Sequence, residues 1–124
     1  MQEFQFLNYQ IKSPIAEIII NRPPINAFNI QLLDEILSAL ELAKNDKTIK
    51  AVLIKSNLEK IFCAGLDLDI LIDKPILKVR EFLERLYVKL WDIQYNMGKP
   101  TIAVVNGSAR GGGMTLAISC DVIL

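Results

Sequence analysis

Lys99-Pro100-Thr101-Ile102-Ala103-Val104-Val105-Asn106-Gly107-Ser108-Ala109-Arg110-Gly111-Gly112-Gly113 is an apolar run that stops at Asn-Gly and passes through three consecutive glycines into a second apolar segment. The pattern predicts a buried strand, a turn, and a helix whose first peptide N–H groups are left bare. Glycine has no Cβ, so a substrate carbonyl can approach such a backbone to hydrogen-bond distance, and the helix dipole favours negative charge there. That is the chemistry of an oxyanion hole. A second glycine-containing element, Phe62-Cys63-Ala64-Gly65-Leu66-Asp67-Leu68, follows a predicted buried strand at residues 51–54 and is placed to supply the other donor. Two donors from separate loops can serve one oxygen only when a rigid scaffold holds the loops together.

Working outward, residues 4–10 alternate apolar and polar side chains, and residues 15–20 are apolar and rich in β-branched types. Ser13-Pro14 between them reads as a turn, which predicts a hairpin feeding a sheet. Asn29 is a good N-cap for a helix running to about Asn45, in which Leu33, Ile36, Leu37 and Leu40 form one buried stripe. Residues 51–54 and 102–105 are short apolar runs expected to be buried on both faces, and strands of that kind separated by helices argue for a parallel sheet. Val79, Phe82, Leu83, Leu86, Tyr87 and Leu90 mark a long amphipathic helix between them, and this stripe and Trp91 are expected in the core. The order strand, strand, helix, strand, helix, strand, helix, without repeat or linker, makes the fold class α/β. Residues 120–124 read as the start of a further buried strand. The expectation is therefore that residues 1–124 are the N-terminal part of a longer domain, with a complete small α/β domain ending in an edge strand as the alternative.

Composition narrows the chemistry. The 124 residues are 52% hydrophobic, enough for one core, and 14 basic side chains balance 14 acidic ones. No net charge argues against a nucleic-acid footprint or a membrane-surface patch, and no apolar run approaches membrane-spanning length. There is no histidine, and Cys63 and Cys120 lack metal-ligand spacing. A histidine-based triad and a transition-metal site are excluded, so proton transfer needs a carboxylate, a hydroxyl or water. The N-terminal residues lack a basic region followed by an apolar core, and a reducing cytoplasm is the expected compartment.

Asn21-Arg22-Pro23-Pro24-Ile25-Asn26-Ala27-Phe28, then Phe62 to Leu68, then Lys99 to Gly113, resemble in order and spacing the crotonase superfamily of enoyl-CoA hydratases and isomerases. The resemblance covers essentially the whole chain. It implies the N-terminal portion of a ββα spiral fold, an acyl-CoA thioester as substrate with no further cofactor, and a homotrimer or hexamer at full length. In that family the residue after the Ala-Gly pair and the middle glycine of the triplet supply the two oxyanion-hole N–H groups, which fall on Leu66 and Gly112. The CoA moiety would lie along Pro24, Ile25, Asn26 and Ala27 and along Ala64, Gly65, Asp67 and Leu68, with Gly111 and Thr115 completing the substrate-binding set. The side chains of Asn26 and Asp67 have two readings, as turn residues that satisfy their own backbone or as ligand contacts. Lys12, Lys55 and Lys60 are phosphate-partner candidates of low specificity.

The departures from the family pattern bear on the reaction. Hydratases of the family carry a glutamate two residues after the glycine triplet, one of two carboxylates that hold and deprotonate water. Here that position is Thr115, and a hydroxyl of ordinary pKa does not do a carboxylate's general-base work near neutral pH. Family members that shift a double bond often lack this carboxylate and use one acid/base group from later in the chain. The resemblance therefore favours isomerisation, with hydration or decarboxylation in the same hole as one alternative and a non-catalytic interaction module as another.

Overall fold

The computed structural model describes residues 3–124. In chain order its elements are β1 (Leu7–Lys12), β2 (Ile15–Ile20), α1 (Ile30–Asn45), β3 (Ala51–Ser56), β4 (Ile61–Cys63), a 3-10 turn (Leu68–Ile70), α2 (Ile76–Glu84), a π turn (Arg85–Lys89), α3 (Leu90–Tyr95), β5 (Thr101–Ala103), β6 (Ser108–Ala109), α4 (Gly112–Ser119) and β7 (Val122–Ile123). One sheet has the order β1-β2-β3-β5-β7, and β4 and β6 form a second, two-stranded sheet. Among the described residues only the β1–β2 hairpin is antiparallel. None of the helices is long and apolar enough to cross a membrane among the described residues.

The core follows from strand alternation. Ala16, Ile18 and Ile20 of β2 stand beside Val52 and Ile54 of β3 and Ala103 of β5, all fully buried on one face. Against them α1 presents Leu32, Leu33, Ile36, Ala39, Leu40 and Ala43, also fully buried. Each large side chain removed from water contributes about 1.5–3 kcal/mol, so this layer supplies most of the driving force. Asn29 caps α1 as its sequence predicts, its Oδ1 accepting from Leu32 N at 2.8 Å. At the other end the Lys99 ammonium donates to Ala43 O and to Asp46 O, a cation on the negative end of the helix.

Four expectations need correction. β1 occupies residues 7–12 rather than 4–10, because the turn sets Lys12 opposite Ile15 and the pairing counts back from there. β5 ends at Ala103, although Val104 N and Val105 N continue to donate, to Ile54 O and Leu124 O. β7 pairs with β5 as a strand, but Val122 and Ile123 are both exposed. Tyr87 and Trp91 lie outside the core, 54% and 39% exposed.

The last correction has a local cause. In an α-helix four residues overshoot a full turn by about 40°, so Phe82, Leu86 and Leu90 would be spread over about 80° of one face. The π turn, closed by Leu90 N donating to Arg85 O, spends one extra residue and takes out that drift. Phe82, Leu86 and Leu90 are all buried close to one line, and Tyr87, about a quarter turn from that line, is exposed.

The sheet's other face carries Glu17, whose carboxylate is 3.3 Å from Lys12 Nζ and 3.4 Å from Lys55 Nζ. Burial works against its charge, but the two ammonium groups outweigh burial and hold its pKa below the usual value. Lys12 and Lys55 are thus engaged within the sheet.

Candidate functional site

The segment from Arg22 to Phe28 is a loop folded around Asn26. This residue is fully buried at a φ of 56°, a conformation asparagine tolerates better than most residues. Its Oδ1 accepts from Arg22 N at 2.7 Å, and its Nδ2 donates to Ser56 Oγ at 2.8 Å and to Phe62 O at 3.0 Å. Its carbonyl accepts from the Cys63 thiol at 3.1 Å. Asn26 therefore ties β3 and β4 to the loop, and its side chain is spent on that work. Arg22 makes a second tie: Nη1 donates to Ala27 O at 2.8 Å, and Nη2 reaches Asp67 Oδ2 at 3.1 Å.

That ion pair locks the loop to the Ala64–Leu68 segment, which is also joined to it through backbone. Ala64 N donates to Ile25 O, Phe28 N to Gly65 O, and Asp67 N to Phe28 O. The last two bonds make a parallel bridge between Phe28 and Leu66. In such a bridge the N–H of the flanked residue points away from the partner strand, and no acceptor for Leu66 N is found among the described residues. Gly65 has a φ of +106°, and a Cβ there would lie 2.9 Å from Arg110 O and 3.5 Å from Gly112 N. Only glycine fits without strain, and its smallness brings the two loops together.

The second loop is fixed by β4 and β6. Arg110 N donates to Cys63 O at 3.0 Å, and a Cβ on Gly113 would stand 2.0 Å from the same carbonyl oxygen. Gly113 N donates to Arg110 O and Thr115 N to Gly111 O. Gly112 N, opening α4, has no acceptor among the described residues, although Gly112 itself is buried. The structure thus brings Leu66 and Gly112 side by side, with both amides unpartnered. A Cβ on Gly112 would sit 3.2 Å from Leu66 Cδ2.

The other candidates are distributed around this point. Pro24, Ile25 and Gly111 are exposed, Ala27 and Gly65 are buried, and Ala64 and Asp67 are half-buried. Leu68 opens the 3-10 turn and is 65% exposed, with Asp67 Oδ1 capping that turn at Asp69 N. Thr115 is half-buried one turn into α4, its Oγ1 donating to Gly111 O at 3.3 Å. Cys63 is no nucleophile: burial pushes its thiol up to about 11, against a smaller opposing effect of the Gly65 amide. A broad surface groove between β1 and α1, lined by Phe4, Leu7, Tyr9, Leu42 and Asp46, belongs to other elements than the two donors.

Arg22 and Gly113 lie within the sequence motifs with no separate role legible there, and Ser56 lies outside them. A lone arginine before two prolines and an asparagine is the one available signal for the first. The approach of Gly113 to Cys63 O carries no signal at all, since it depends on the pairing of two very short strands.

The sequence profile of the enoyl-CoA hydratase/isomerase family matches residues 10–124, and the chain belongs to that family. Its fold is the crotonase fold, in part. The chain is 36% identical over 109 residues to the human mitochondrial enoyl-CoA hydratase domain-containing protein 2, covering 87% of this chain and 37% of that protein. It is 32% identical over 107 residues to the rat mitochondrial enoyl-CoA delta isomerase 1, covering 86% and 37% respectively. Among solved structures, Pseudomonas aeruginosa DspI superposes with a TM-score of 0.91 at 28% identity, over 99% of this chain and 50% of that one. The chain therefore spans just over a third of these relatives' length and half of the solved chain's.

Proposed function

We propose that the N–H groups of Leu66 and Gly112 together receive the carbonyl oxygen of an acyl-CoA thioester, and that the enzyme carrying this chain moves a carbon–carbon double bond in the acyl group. The observation that carries this reading is the pair of unpartnered amides on two loops locked to each other. When a proton leaves the carbon beside the thioester carbonyl, negative charge collects on that oxygen. Two preorganised donors stabilise this charge without reorganising, and losing one costs about 2.7–4 kcal/mol in the transition state. The donors act through backbone, so an apolar leucine at 66 is compatible with the role. CoA would run over exposed Pro24 and Ile25 and over Leu68. Asn26 and Asp67 would shape the loops that carry it, through the bonds to Ser56, Phe62 and Arg22.

Thr115 favours isomerisation over hydration. Its hydroxyl is donated to Gly111 O and has no carboxylate partner that would make it a base. Asp67 is paired with Arg22, so it is not a free base either. The proton-moving carboxylate is assigned to a part of the enzyme outside these 124 residues. A homo-oligomer is part of the same proposal, supported by the apolar side chains exposed on α2, α3 and α4.

One assay tests the reading: double-bond migration and hydration measured on the same enoyl-CoA, with wild type, Gly112→Pro, Gly112→Ala and Thr115→Val. Proline at the first helical position removes the N–H while its φ suits a helix start, and Gly112→Ala controls for the crowding that an added Cβ brings against Leu66 and Phe28. Gly112→Pro is expected to abolish turnover, Gly112→Ala to retain most of it, and Thr115→Val to change migration by less than about threefold. Full turnover by folded Gly112→Pro would remove the oxyanion role. Efficient hydration without migration would replace isomerase by hydratase.

A further inference from the structure

Leu86 is fully buried within the π turn, and its Cδ2 lies 3.5 Å from the point where a Cβ on Gly112 would stand. Phe28 Cδ2 and Leu66 Cδ2 each lie 3.2 Å from that point. Gly112 is thus enclosed by three apolar side chains from three different elements. Two of them, Phe28 and Leu66, are the partners of the backbone bridge that aims the Leu66 N–H. The third, Leu86, is carried by the π turn. In an uninterrupted α-helix Phe82, Leu86 and Leu90 would be spread over about 80° of one face, and the π turn narrows that spread, with all three buried here. The turn is anchored from the far side as well, by Arg85 Nε at 3.1 Å from Asp34 Oδ1 on α1. Gly111 offers α4 no side-chain cap, and its first turn is held through backbone, Gly113 N donating to Arg110 O and Thr115 N to Gly111 O, with the three apolar side chains packed around Gly112 between them. Extra-residue helical turns weaken local hydrogen bonding and persist where they place a group that matters.

We infer that Leu86 is a positioning residue: carried by the π turn, it packs beside Gly112 and helps set the direction of the Gly112 N–H toward the carbonyl oxygen. The inference rests on the oxyanion reading of Gly112 and concerns only what holds that donor in place. Leu86 touches neither the thioester nor any reacting atom. Its removal leaves Gly112 chemically intact but free to tilt, and a misplacement of about 1 Å at a catalytic group can cost on the order of a hundredfold in rate.

The experiment compares Leu86→Ala, Leu86→Met, Leu86→Val, Leu40→Ala and Gly112→Pro in the full-length enzyme, measuring kcat and KM for double-bond migration alongside stability in urea. Leu40 is equally buried, on α1, so its truncation is the control for a cavity remote from Gly112. Leu86→Ala is expected to lower kcat by about tenfold to a hundredfold with KM within about twofold. Leu86→Met, which conserves volume, is expected to restore kcat to within about threefold. Leu40→Ala is expected to lose comparable stability and keep kcat. Equal kcat for folded Leu86→Ala and wild type, or equal losses in Leu86→Ala and Leu40→Ala, would overturn the positioning role. If the alanine variant does not fold, Leu86→Val decides, with a several-fold loss of kcat supporting the inference and none refuting it. Full turnover by Gly112→Pro marks failure of the oxyanion reading instead, independently of Leu86.

Discussion

A methyl group on Gly113 would stand 2.0 Å from Cys63 O, and one on Gly112 would meet only side-chain atoms, the Phe28 ring and two leucine methyl groups, at 3.2–3.5 Å. The glycine triplet therefore divides by function, which its sequence does not reveal. Gly113→Ala must push β4 away from α4, and a loss of at least about 2 kcal/mol is expected in urea unfolding, as for other overpacked sites. Gly112→Ala needs shifts of a few tenths of an ångström and is expected to cost under about 1 kcal/mol. Equal effects of the two would mean that the loops do not meet as described. Asn26 was only half legible for the same reason: its partners Ser56 and Phe62 are distant in sequence, so its turn chemistry was visible and its bracing of two strands was not. The neighbouring thiol adds a pH signature. Burial raises Cys63 from 9.0 to about 11, so the folded state binds its proton more tightly than the unfolded chain does. That contribution is complete below pH 9, falls as the unfolded thiol ionises, and is gone by about pH 11, a total of about 3 kcal/mol for a shift of this size. Wild type is expected to lose more stability than Cys63→Ala over that interval, and parallel pH curves would contradict the burial argument.

At the scale of elements, what was legible was whatever is written in long periodic stretches. α1 shows its apolar stripe and its cap, and both are where the periodicity puts them. Asn29→Ala removes the acceptor for Leu32 N and is expected to cost about 1 kcal/mol of unfolding free energy, with Asn29→Asp restoring it. No loss in the alanine variant would show that the α1 start is held by packing alone. β4 and β6 escaped the sequence because they have three and two residues, too few to display a period. They are nonetheless the scaffold that brings Cys63, Gly65 and Gly113 together. The helix between residues 76 and 95 was legible as a helix but not in its phase. Period counting over Leu83, Leu86, Tyr87 and Leu90 assumes a uniform turn, and the π turn breaks that assumption where it matters for the site.

The whole molecule is unevenly covered. The inner face of the main sheet is sealed by α1, whereas α2, the π turn, α3 and α4 leave Ile76, Leu77, Val88, Tyr95, Met114 and Ile118 between 51% and 89% exposed. β7 adds Val122, Ile123 and Leu124, all exposed. Apolar side chains scattered singly are ordinary on a surface, but several on consecutive turns of one helix and the next are the mark of a contact surface. With no net charge, the chain also lacks the self-repulsion that keeps such surfaces apart. The 124-residue polypeptide by itself is therefore expected to self-associate. Sedimentation velocity should show species larger than a monomer that grow with concentration, and added sulfate should enlarge them because it strengthens apolar burial. Leu77→Glu together with Tyr95→Glu should shift the distribution toward monomer without lowering stability by more than about 0.5 kcal/mol, since neither side chain belongs to the core. A monomer that stays monodisperse across concentration and sulfate would mean that these side chains do not form a continuous patch. Association unaffected by the double variant would move the contact to the edge strand β7, whose N–H and C=O groups face no further strand among the described residues.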